Sequence, residues 1–310
     1  MQIVRVPALG PAIPSPRGGV ATLGVFDGVH LGHQALLRRV VADARERRVP
    51  SIVLTFAVHP VVVLKGLPPR LVTSLPHRLR LFESLGAEVA IVLPFDDAVR
   101  RLDAGTFARA VFVDGLGLSG LVLGPDARVG VDRRGDIDFL RGFCAAHSIR
   151  IEVIEPLCLE GERVSSTRIR AAIADGDLER ASRMLGRRWS MFGTVVKGEG
   201  RGRKLGYPTA NFDLHHEIRP PSGVYAVTSS ICGREVGGVM NIGIRPTFGP
   251  DGDLTVEVNY FDFSGDLYGQ DLEVVLVRRL RDEMRFASRE ELVRQIERDV
   301  DQARKALVSP

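Results

Sequence analysis

The sequence predicts an α/β domain followed by an antiparallel β-barrel, and three observations support this fold class. Over residues 20 to about 186, short apolar runs alternate with helix-patterned segments, as in a parallel sheet with helices on its faces. After that point, short strand-like runs are separated by Gly, Pro and Asp, which is typical of an antiparallel sheet or barrel. A helix-patterned stretch over residues 288–307 follows the last run. We therefore place the predicted domains at residues 1–186 and 187–310.

The composition is that of an ordinary globular protein, since 45% of the 310 residues are hydrophobic and 26% are charged. A chain of this length suits two domains rather than a single core. The formal net charge of +4 is mildly basic, and the Arg residues are scattered rather than gathered into a stripe with aromatic residues. This distribution favours a small anionic ligand, so we expect no nucleic-acid partner.

Three features predict the cellular compartment. Cys144, Cys158 and Cys232 lie far apart without metal-ligand spacing, which is typical of free thiols in a reducing compartment. The first residues contain prolines and no long apolar core, so no signal peptide is expected. No apolar run is long enough to span a bilayer. We expect a cytoplasmic protein with no membrane partner.

Five strands and six helices are predicted in the first domain. The strands are predicted at residues 20–24, 51–56, 89–93, 121–124 and 150–154. The helices are predicted at residues 31–48, 76–85, 103–115, 136–147, 166–174 and 178–185. Because ligands of such sheets bind beyond the carboxyl ends of the strands, site residues are expected there.

The first strand is followed by a glycine-rich turn, G-V-F-D-G-V-H-L-G-H over residues 24–33, and then by a helix. This arrangement points backbone N–H groups and a helix N-terminus at the space above the strand, which suits phosphate. Three glycines allow the backbone to approach a ligand closely. His30 and His33 lie three residues apart, so both imidazoles can donate hydrogen bonds to one anion and, if protonated, offset its charge. The alternative is a plain tight turn with two exposed histidines; two His with three Gly favour phosphate binding.

Two further strand ends carry candidate side chains. Phe56 and His59 follow the second strand and can line one crevice; equally, they can be a core Phe and a loop His with a satisfied ring. Asp126 follows the fourth strand, where its carboxylate can hold a ribose hydroxyl or an adenine amine, although an isolated Asp is more often a turn residue. The residues alone leave these alternatives open.

The segment S-S-T-R-I-R over residues 165–170 opens a helix. Hydroxyls and free N–H groups, including those of Ser166 and Thr167, therefore cluster at the positive end of that helix. Arg170 lies one turn further and can donate a bidentate pair of hydrogen bonds to a phosphate. N-capping with solvated arginines is the alternative, but a cap needs one hydroxyl and this segment has three.

The second domain is predicted to contain five strands and a final helix. The strands are predicted at residues 189–197, 224–231, 236–242, 254–261 and 272–279. The helix over residues 288–307 begins with S-R-E-E, which is a capping box. Leu292, Ile296 and Val300 share its apolar face.

A glycine-rich basic stretch, G-E-G-R-G-R-K-L-G-Y-P-T-A-N, covers residues 198–211 and predicts a flexible positive loop suited to polyphosphate. It is not a Walker P-loop, because G-x-x-x-x-G-K-[ST] occurs nowhere in the chain. Thr209 and Asn211 lie two residues apart, so both point to one side of an extended segment. Their neutral oxygens suit Mg²⁺ that already carries phosphate oxygens. A surface loop that runs into a strand is the alternative.

Glu257 lies in the alternating strand T-V-E-V-N, where Val256 and Val258 would face the core. Glu257 and Asn259 then face the other way. A plain exposed Glu is the default interpretation of such a position. The sequence alone leaves open whether Glu257 is that or a general base.

These motifs resemble one known family. H-x-G-H after G-x-F-D-G resembles the signature of nucleotidyltransferases that move a nucleoside monophosphate onto a phosphate. The motifs R-G-R-x-L-G-Y-P-T-A-N, G-V-Y-A-V, N-I-G-x-R-P-T and V-E-V…D-L-Y-G are similar to the bacterial riboflavin kinase module. In this order the motifs cover nearly the whole chain and resemble the bacterial bifunctional riboflavin kinase/FAD synthetase (FMN adenylyltransferase) family. The resemblance implies a Rossmann-like nucleotidyltransferase domain over residues 1–186 and a six-stranded antiparallel β-barrel with a C-terminal helix over residues 187–310.

The resemblance also implies two reactions. ATP would phosphorylate riboflavin to FMN with release of ADP, and a second ATP would adenylylate FMN to FAD with release of pyrophosphate; Mg²⁺ would be the cofactor. In the adenylylation site, His30, His33 and Arg170 would stabilise charge on the phosphates, and Glu257 would be the base of the kinase site. The residues implied to bind ATP for adenylylation are Gly24, Phe26, Asp27, Gly28, His30, His33, Asp126, Ser166, Thr167 and Arg170. Those implied to bind flavin there are Phe56 and His59. Those implied to bind ATP and Mg²⁺ in the kinase site are Gly198, Arg203, Gly206, Pro208, Thr209 and Asn211, with Thr209 and Asn211 as the metal ligands.

The sequence departs from the family pattern at three places. Val58 replaces the first Pro of T-F-x-P-H-P, and Asn259 stands where the family often has His. Ala127 and Val129 replace both Phe of G-x-D/N-F-x-F-G, which removes aromatic surface for a flavin ring. The alternative function is therefore a riboflavin kinase with a weak or altered nucleotidyltransferase domain. A flavin- or nucleotide-binding regulator is a third hypothesis, which the intact polar motifs disfavour.

Overall fold

The computed structural model describes residues 1–10, 13–66, 70–198, 200–215, 217–245 and 253–308. Contacts between Cα atoms divide the chain into two compact units. The first unit contains Met1–Arg70 and Leu75–Ser166, and the second contains Leu71–Ser74 and Thr167–Pro310. The predicted domain boundary at residues 186 and 187 stays a prediction. The end of the motif N-I-G-x-R-P-T, at residues 246 and 247, lies outside the described residues.

A six-stranded parallel sheet forms the centre of the first unit, as the α/β pattern predicts. Its spatial order is β1-β4-β3-β2-β5-β6, and every paired strand is parallel to its neighbour. The strands are β1 (Gln2–Arg5), β2 (Val20–Leu23), β3 (Ser51–Phe56), β4 (Val89–Leu93), β5 (Gly120–Leu123) and β6 (Arg150–Val153). A two-stranded hairpin follows, β7 (Cys158–Leu159) with β8 (Glu162–Arg163).

The five predicted strands are present with bounds that agree within one residue, and β1 was not predicted. Within β1 only Val4 is buried, so the segment lacks the continuous apolar run that marks the inner strands. Its place at the edge of the sheet beside β4 explains that composition.

The helices of the first unit follow the strands in the expected order. They are α1 (Leu31–Arg47), α2 (Pro60–Lys65), α3 (Leu75–Ser84), α4 (Asp97–Arg100), α5 (Ala104–Ala108), α6 (Ile137–Ala146) and the start of α7 (Ser166–Ala174). The helix predicted at residues 103–115 is divided, because α5 passes into a π-helix at Arg109–Gly115. A 3₁₀ turn lies at Val131–Arg133.

Both faces of the parallel sheet are covered. Ile52 and Leu54 of β3 belong to one buried cluster, with Phe112 among its members, whereas Val53 belongs to another that contains Phe82. This alternation explains why the inner strands are continuously apolar.

The second unit contains a closed six-stranded antiparallel barrel, which confirms the predicted architecture. The strands are β9 (Ser190–Val196), β10 (Ala210–Asp213), β11 (Gly223–Ile231), β12 (Arg234–Arg245), β13 (Asp253–Tyr260) and β14 (Asp271–Arg281). Their order around the barrel is β10-β13-β12-β11-β14-β9. The pattern did not predict β10, because it is four residues long and directly follows a glycine- and proline-containing stretch.

Three further helices lie in the described part of the second unit: α8 (Leu178–Leu185), α9 (Arg201–Lys204) and α10 (Arg289–Val308). At the predicted capping box, the N–H of Glu291 donates to Ser288 Oγ at 3.1 Å, while the Glu291 carboxylate accepts from the N–H of Ala287. The buried Asp299 of α10 accepts three hydrogen bonds from Arg281 of β14. None of the helices in the described ranges combines the length and the apolar character needed to cross a bilayer.

Candidate active sites

The glycine-rich turn of the first unit joins the end of β2 to the start of α1, as predicted. Phe26 and Val29 have positive φ angles of 55° and 41°, and Gly28 between them has 84°. Glycine adopts such angles without steric conflict, but a bulky or β-branched residue does so only under strain. Backbone strain of this kind persists where the surrounding structure enforces it, and it concentrates at functional sites.

The two imidazoles of the turn lie against each other. His30 is the N-cap of α1, and its Nδ1 accepts a hydrogen bond from the backbone N–H of His33 at 3.4 Å. The two rings stack with centroids 3.5 Å apart and planes 18° apart. Nδ1 of His33 is buried and meets no hydrogen-bond partner among the described residues. The turn therefore presents a stacked imidazole pair rather than two independent exposed histidines.

Burial lowers the pKa of His33 well below the ordinary histidine value, and the charges of His30 and Arg78 lower it further. His33 is therefore neutral near pH 7 in the ligand-free protein. A neutral ring donates one hydrogen bond without carrying charge.

Side chains of Phe82, Arg78 and Thr55, which lie outside the turn, contact it. Phe26 is buried, and its ring packs edge-on against the rings of His33 and Phe82 at 5.3 and 5.7 Å. Arg78 of α3 donates to the carbonyl of Val25, and Thr55 Oγ1 lies 3.4 Å from the same oxygen. Sequence reasoning missed Arg78; the available signal was a cation within the otherwise buried stretch of α3.

The start of α7 lies beside the same turn. The Ser166 hydroxyl donates to the carbonyl of Asp27 at 2.8 Å, and both residues belong to the first unit. Thr167 and Arg170 follow in the same helix and belong to the second unit, where Thr167 is exposed. The structure thus brings the Ser166 hydroxyl to the glycine-rich turn through a hydrogen bond to the backbone of that turn.

The carboxylate of Asp126 is paired with an arginine from another element. This carboxylate forms an ion pair with Arg163 of β8, and this hydrogen-bonded partner lowers the pKa of the Asp126 carboxyl. Both side chains are largely exposed. A nucleotide that uses Asp126 has to exchange this contact for its own hydroxyl or amine.

The two candidate flavin residues, Phe56 and His59, both have structural roles in the fold. Phe56 packs partly on the core of the first unit and edge-on against Phe95 at 5.4 Å. His59 is the N-cap of α2, with Nδ1 accepting from the N–H of Val61 at 3.2 Å. Val129 is a buried core residue, whereas Ala127 is only partly buried.

In the second unit, strand register aligns the polar residues around Glu257. Asn211 of β10 and Asn241 of β12 both pair directly with Glu257 of β13. Directly paired residues project from the same face of the sheet, so these three side chains form one row. Thr209 joins the row, since its Oγ1 donates to Glu257 Oε2 at 3.1 Å. The sequence reasoning assigned no role to Asn241, although the motif N-I-G contains it.

Asn259 holds the segment that carries Thr209. Its Nδ2 donates to the carbonyl of Pro208 at 2.8 Å. The side chains of Asn259 and Glu257 therefore contact consecutive residues, Pro208 and Thr209, from two positions on one face of β13. At this departure from the family pattern, the amide supports the geometry of the row.

Of the residues in this row, only Thr209 lines a cavity of about 520 Å³, which β13 lines with Val258 and Tyr260 and not with Glu257. Arg203 and Pro208 also contribute to its lining, together with the aromatic residues Tyr260, Phe263 and Tyr268. The loop expected to be flexible includes the helical turn α9, followed by Gly206 with a φ of 88°. A Cβ at Gly198 would lie 2.3 Å from the Asn211 amide, so the backbone approaches that side chain closely only because residue 198 is glycine.

Comparisons with known proteins match both halves of the chain. Residues 12–168 match the family model for FAD synthetase, and residues 185–307 match the model for riboflavin kinase. The chain is 42% identical to the bifunctional riboflavin kinase/FMN adenylyltransferase of Pseudomonas fluorescens, over 100% of this chain and 99% of that one. It is 37% identical to the protein of the same name from Haemophilus influenzae, over 98% of each chain.

One solved structure is also similar over almost the full length. It is described as a macrolide-efflux protein from Streptococcus pneumoniae, with a TM-score of 0.83 and 32% sequence identity. The alignment covers 98% of this chain and 99% of that chain.

The fold and the matches define a bifunctional transferase of phosphorus-containing groups. The chain belongs to the family of bifunctional riboflavin kinase/FMN adenylyltransferases. Its activities are the ATP-dependent phosphorylation of riboflavin to FMN and the adenylylation of FMN to FAD.

Proposed function

We propose that the two reactions occur at two separate groups of residues. FMN would be adenylylated at the glycine-rich turn of the first unit, and riboflavin would be phosphorylated beside Glu257 in the second. The kinase assignment is carried by one observation: the Glu257 carboxylate accepts a hydrogen bond from Thr209 and pairs in register with Asn211. A carboxylate beside the Thr209 hydroxyl and the Asn211 amide supports the proposal, because a general base next to Mg²⁺-bound phosphates would need such neighbours.

For the kinase reaction, Glu257 takes the proton from the ribityl hydroxyl of riboflavin. The hydroxyl oxygen then attacks the γ-phosphorus of ATP, the bond from that phosphorus to the β–γ bridging oxygen breaks, and ADP leaves. The cavity lined by Arg203, Pro208 and Thr209 has the size of a nucleotide pocket. Its aromatic wall would bind adenosine, and Arg203 would face the phosphates.

The donor set around Glu257 suits Mg²⁺. Thr209 and Asn211 would hold it through neutral oxygens, which bind Mg²⁺ together with substrate phosphates, while the adjacent Glu257 carboxylate would act as the base. Among the described residues no cluster of three or more His, Cys, Asp or Glu forms a metal cage, which fits a metal brought in with ATP. When bound, Mg²⁺ would neutralise charge on the transferring phosphate.

For adenylylation, the phosphate of FMN is already a nucleophile and needs no base. One of its oxygens attacks the α-phosphorus of ATP, the bond to the α–β bridging oxygen breaks, and pyrophosphate leaves. The imidazoles of His30 and His33 would donate hydrogen bonds to the oxygens on which charge increases, with Arg170 in the same role. The backbone N–H groups at the start of α1 supply further donors.

A riboflavin kinase with a weak nucleotidyltransferase domain is the second candidate, and one observation favours it. Val129 is buried in the core, and Ala127 offers only a methyl group. Neither position supplies aromatic surface to a flavin ring. Phe56 retains part of such a surface, so we expect weaker FMN binding and not its loss.

Two further assignments are proposed with these roles. The domain boundary would lie near residue 186, where α8 ends at Leu185 and the barrel strand β9 begins at Ser190. The enzyme would work in the cytoplasm. The three cysteines are all free thiols, as in a reducing compartment.

Mixing two variants tests whether the sites are separate. Glu257→Gln alone should make FAD from riboflavin only slowly, since little FMN forms, and His33→Ala alone should accumulate FMN. The mixture should form FAD, because FMN released by one variant is a substrate for the other. A mixture that makes no FAD, while each variant is folded, would contradict the proposal.

A further inference from the structure

Arg78 is a buried cation that neither set of proposed roles uses. It lies in α3 with only 2% of its surface exposed. A guanidinium stays charged in proteins, and a buried charge is unfavourable unless its surroundings stabilise it. A plain core position would be occupied by an apolar side chain, as at neighbouring Leu79, so the cation requires a reason.

The contacts of α3 converge on the phosphate turn. The Arg78 guanidinium donates to the carbonyl of Val25, the residue before the strained Phe26. One helical turn further along α3, the ring of Phe82 packs edge-on against the ring of Phe26 at 5.7 Å. The helix therefore holds two consecutive residues of the turn, one through a carbonyl and one through a ring.

The contacts of α3 with the turn also extend to His33 through the ring of Phe26. The Phe26 ring, held from behind by Phe82, packs edge-on against the His33 ring at 5.3 Å. Among the described residues, the titratable or charged groups that act electrostatically on His33 are His30, from the turn, and Arg78, from α3. Arg78 thus acts on His33 both through the shape of the turn and through its charge.

We propose that Arg78 is a positioning residue for nucleotidyl transfer: its guanidinium fixes the Val25 carbonyl, and thereby the turn that orients His33 toward the nucleotide phosphates. Its buried charge also adds to the positive potential that a polyphosphate meets at this turn. This inference rests on the adenylylation site proposed above.

The test compares Arg78→Met with Arg80→Met, because Arg80 is exposed on the same helix and serves as a matched control. FAD formation from FMN and ATP is measured, and FMN formation from riboflavin by the same molecules reports the folded state of the second unit. We expect Arg78→Met to reduce kcat/KM for FAD formation about a hundredfold, as when a positioning contact is displaced by about 1 Å. FMN formation should stay unchanged, and Arg80→Met should match the wild type in both reactions.

The pH profile separates positioning from a merely structural role. The proposed hydrogen-bond donor is the neutral His33 ring, and removing the cation raises the pKa of that ring, so the acid limb of the FAD-forming rate should move to higher pH in Arg78→Met. Arg78→Lys keeps the charge but loses the planar fork, so we expect an intermediate rate with the acid limb unmoved. An unmoved acid limb in a folded Arg78→Met would overturn the electrostatic part of the proposal.

Further outcomes decide the proposal and distinguish it from the proposed site. If Arg78→Met behaves as Arg80→Met in rate and profile, the proposal is wrong. If Arg78→Met unfolds the first unit, the rate of FAD formation is measured in Arg78→Lys instead. A wild-type rate in Arg78→Lys also overturns the proposal. If His33→Ala leaves FAD formation intact, the proposed adenylylation site itself fails.

Discussion

The two candidate sites of this chain are held in place by different means. In the first unit, His30 and His33 lie on a turn whose non-glycine residues Phe26 and Val29 have positive φ angles. In the second unit, Glu257 lies on a regular strand, where the register of the barrel sets its polar neighbours beside it. A strained turn depends on supports from distant parts of the sequence, whereas a strand site depends on its hydrogen-bonded ladder.

This difference predicts that the activities of the two candidate sites respond to substitutions at different kinds of residue. The first site should respond to changes in buried residues that touch no substrate, such as Arg78 and Phe82. The second should respond mainly to changes in the row itself, because the backbone hydrogen bonds of β10, β12 and β13 are retained when a side chain is replaced.

The largest effect is expected at Glu257. Glu257→Gln should slow FMN formation by about a hundredfold or more, the size associated with loss of a general base. ATP binding and FAD formation from supplied FMN should persist, because the change is isosteric and lies in the second unit. Steady-state rates for the two reactions check this, and a wild-type kinase rate would return Glu257 to the class of plain exposed residues.

The second effect is expected at His33. His33→Ala should reduce FAD formation by about a hundredfold, as for removal of one donor that stabilises charge in the transition state. FMN should still form at the wild-type rate. Equal loss of both products in a folded variant would show that the two sites are not separate.

A smaller effect is expected where the family aromatics are missing. Ala127→Phe should lower KM for FMN by up to about tenfold, since an aromatic contact contributes roughly 0.5–1.5 kcal/mol and 1.4 kcal/mol is a factor of ten. KM for ATP is the control and should not change. An unchanged KM for FMN would place the flavin ring elsewhere.

Val129→Phe, at the second position where the family aromatic is missing, should behave differently from Ala127→Phe. Val129 is buried, and a Cβ at the neighbouring Gly135 would lie only 2.6 Å from its side chain, so no space exists for a ring. We expect this variant to lower the free energy of unfolding by about 1–3 kcal/mol, as overpacking does, without improving KM for FMN. Thermal unfolding and the same kinetics measure both quantities.

The smallest effect concerns pH. The pKa of His33 is lower in the folded protein than in the unfolded chain, so unfolding takes up a proton as the pH falls through the ordinary histidine range. The free energy of unfolding should therefore decrease on acidification, by on the order of 1 kcal/mol. His33→Gln should show a smaller decrease between about pH 7.5 and 5.5; an identical slope would contradict this origin.

Much of the fold was predictable because its signals are local. The strands at residues 51–56 and 89–93 were predicted with their observed bounds, since buried parallel strands are continuous apolar runs. The edge strand β1 and the short β10 were missed, because each is defined by its pairing partner more than by its composition. The helix predicted at residues 103–115 was divided by a π-helix, which has no marker in the residue pattern.

The candidate sites were predictable to a more limited degree. Spacing indicated His30 with His33, and Thr209 with Asn211, because residues close in sequence have a relative placement that secondary structure sets. Asn241 lies beside Glu257 only because β12 pairs with β13 in this register. Asn259 contacts Pro208 only through a side-chain hydrogen bond that the folded chain allows. Arg163 gained its ion pair with Asp126 across 37 residues.

The sequence by itself determined the order of an α/β half and a barrel half, the glycine-rich turn between β2 and α1, and the resemblance to a flavin-synthesising family. These properties follow from periodicity and short motifs, which are encoded in neighbouring residues. Only the tertiary structure decided that the pKa of His33 is lowered, that Arg78 donates to the Val25 carbonyl of the turn and that Glu257 accepts from Thr209. Burial, charge–charge effects and cross-strand contacts join residues far apart in the chain, and they exist only once the chain has folded.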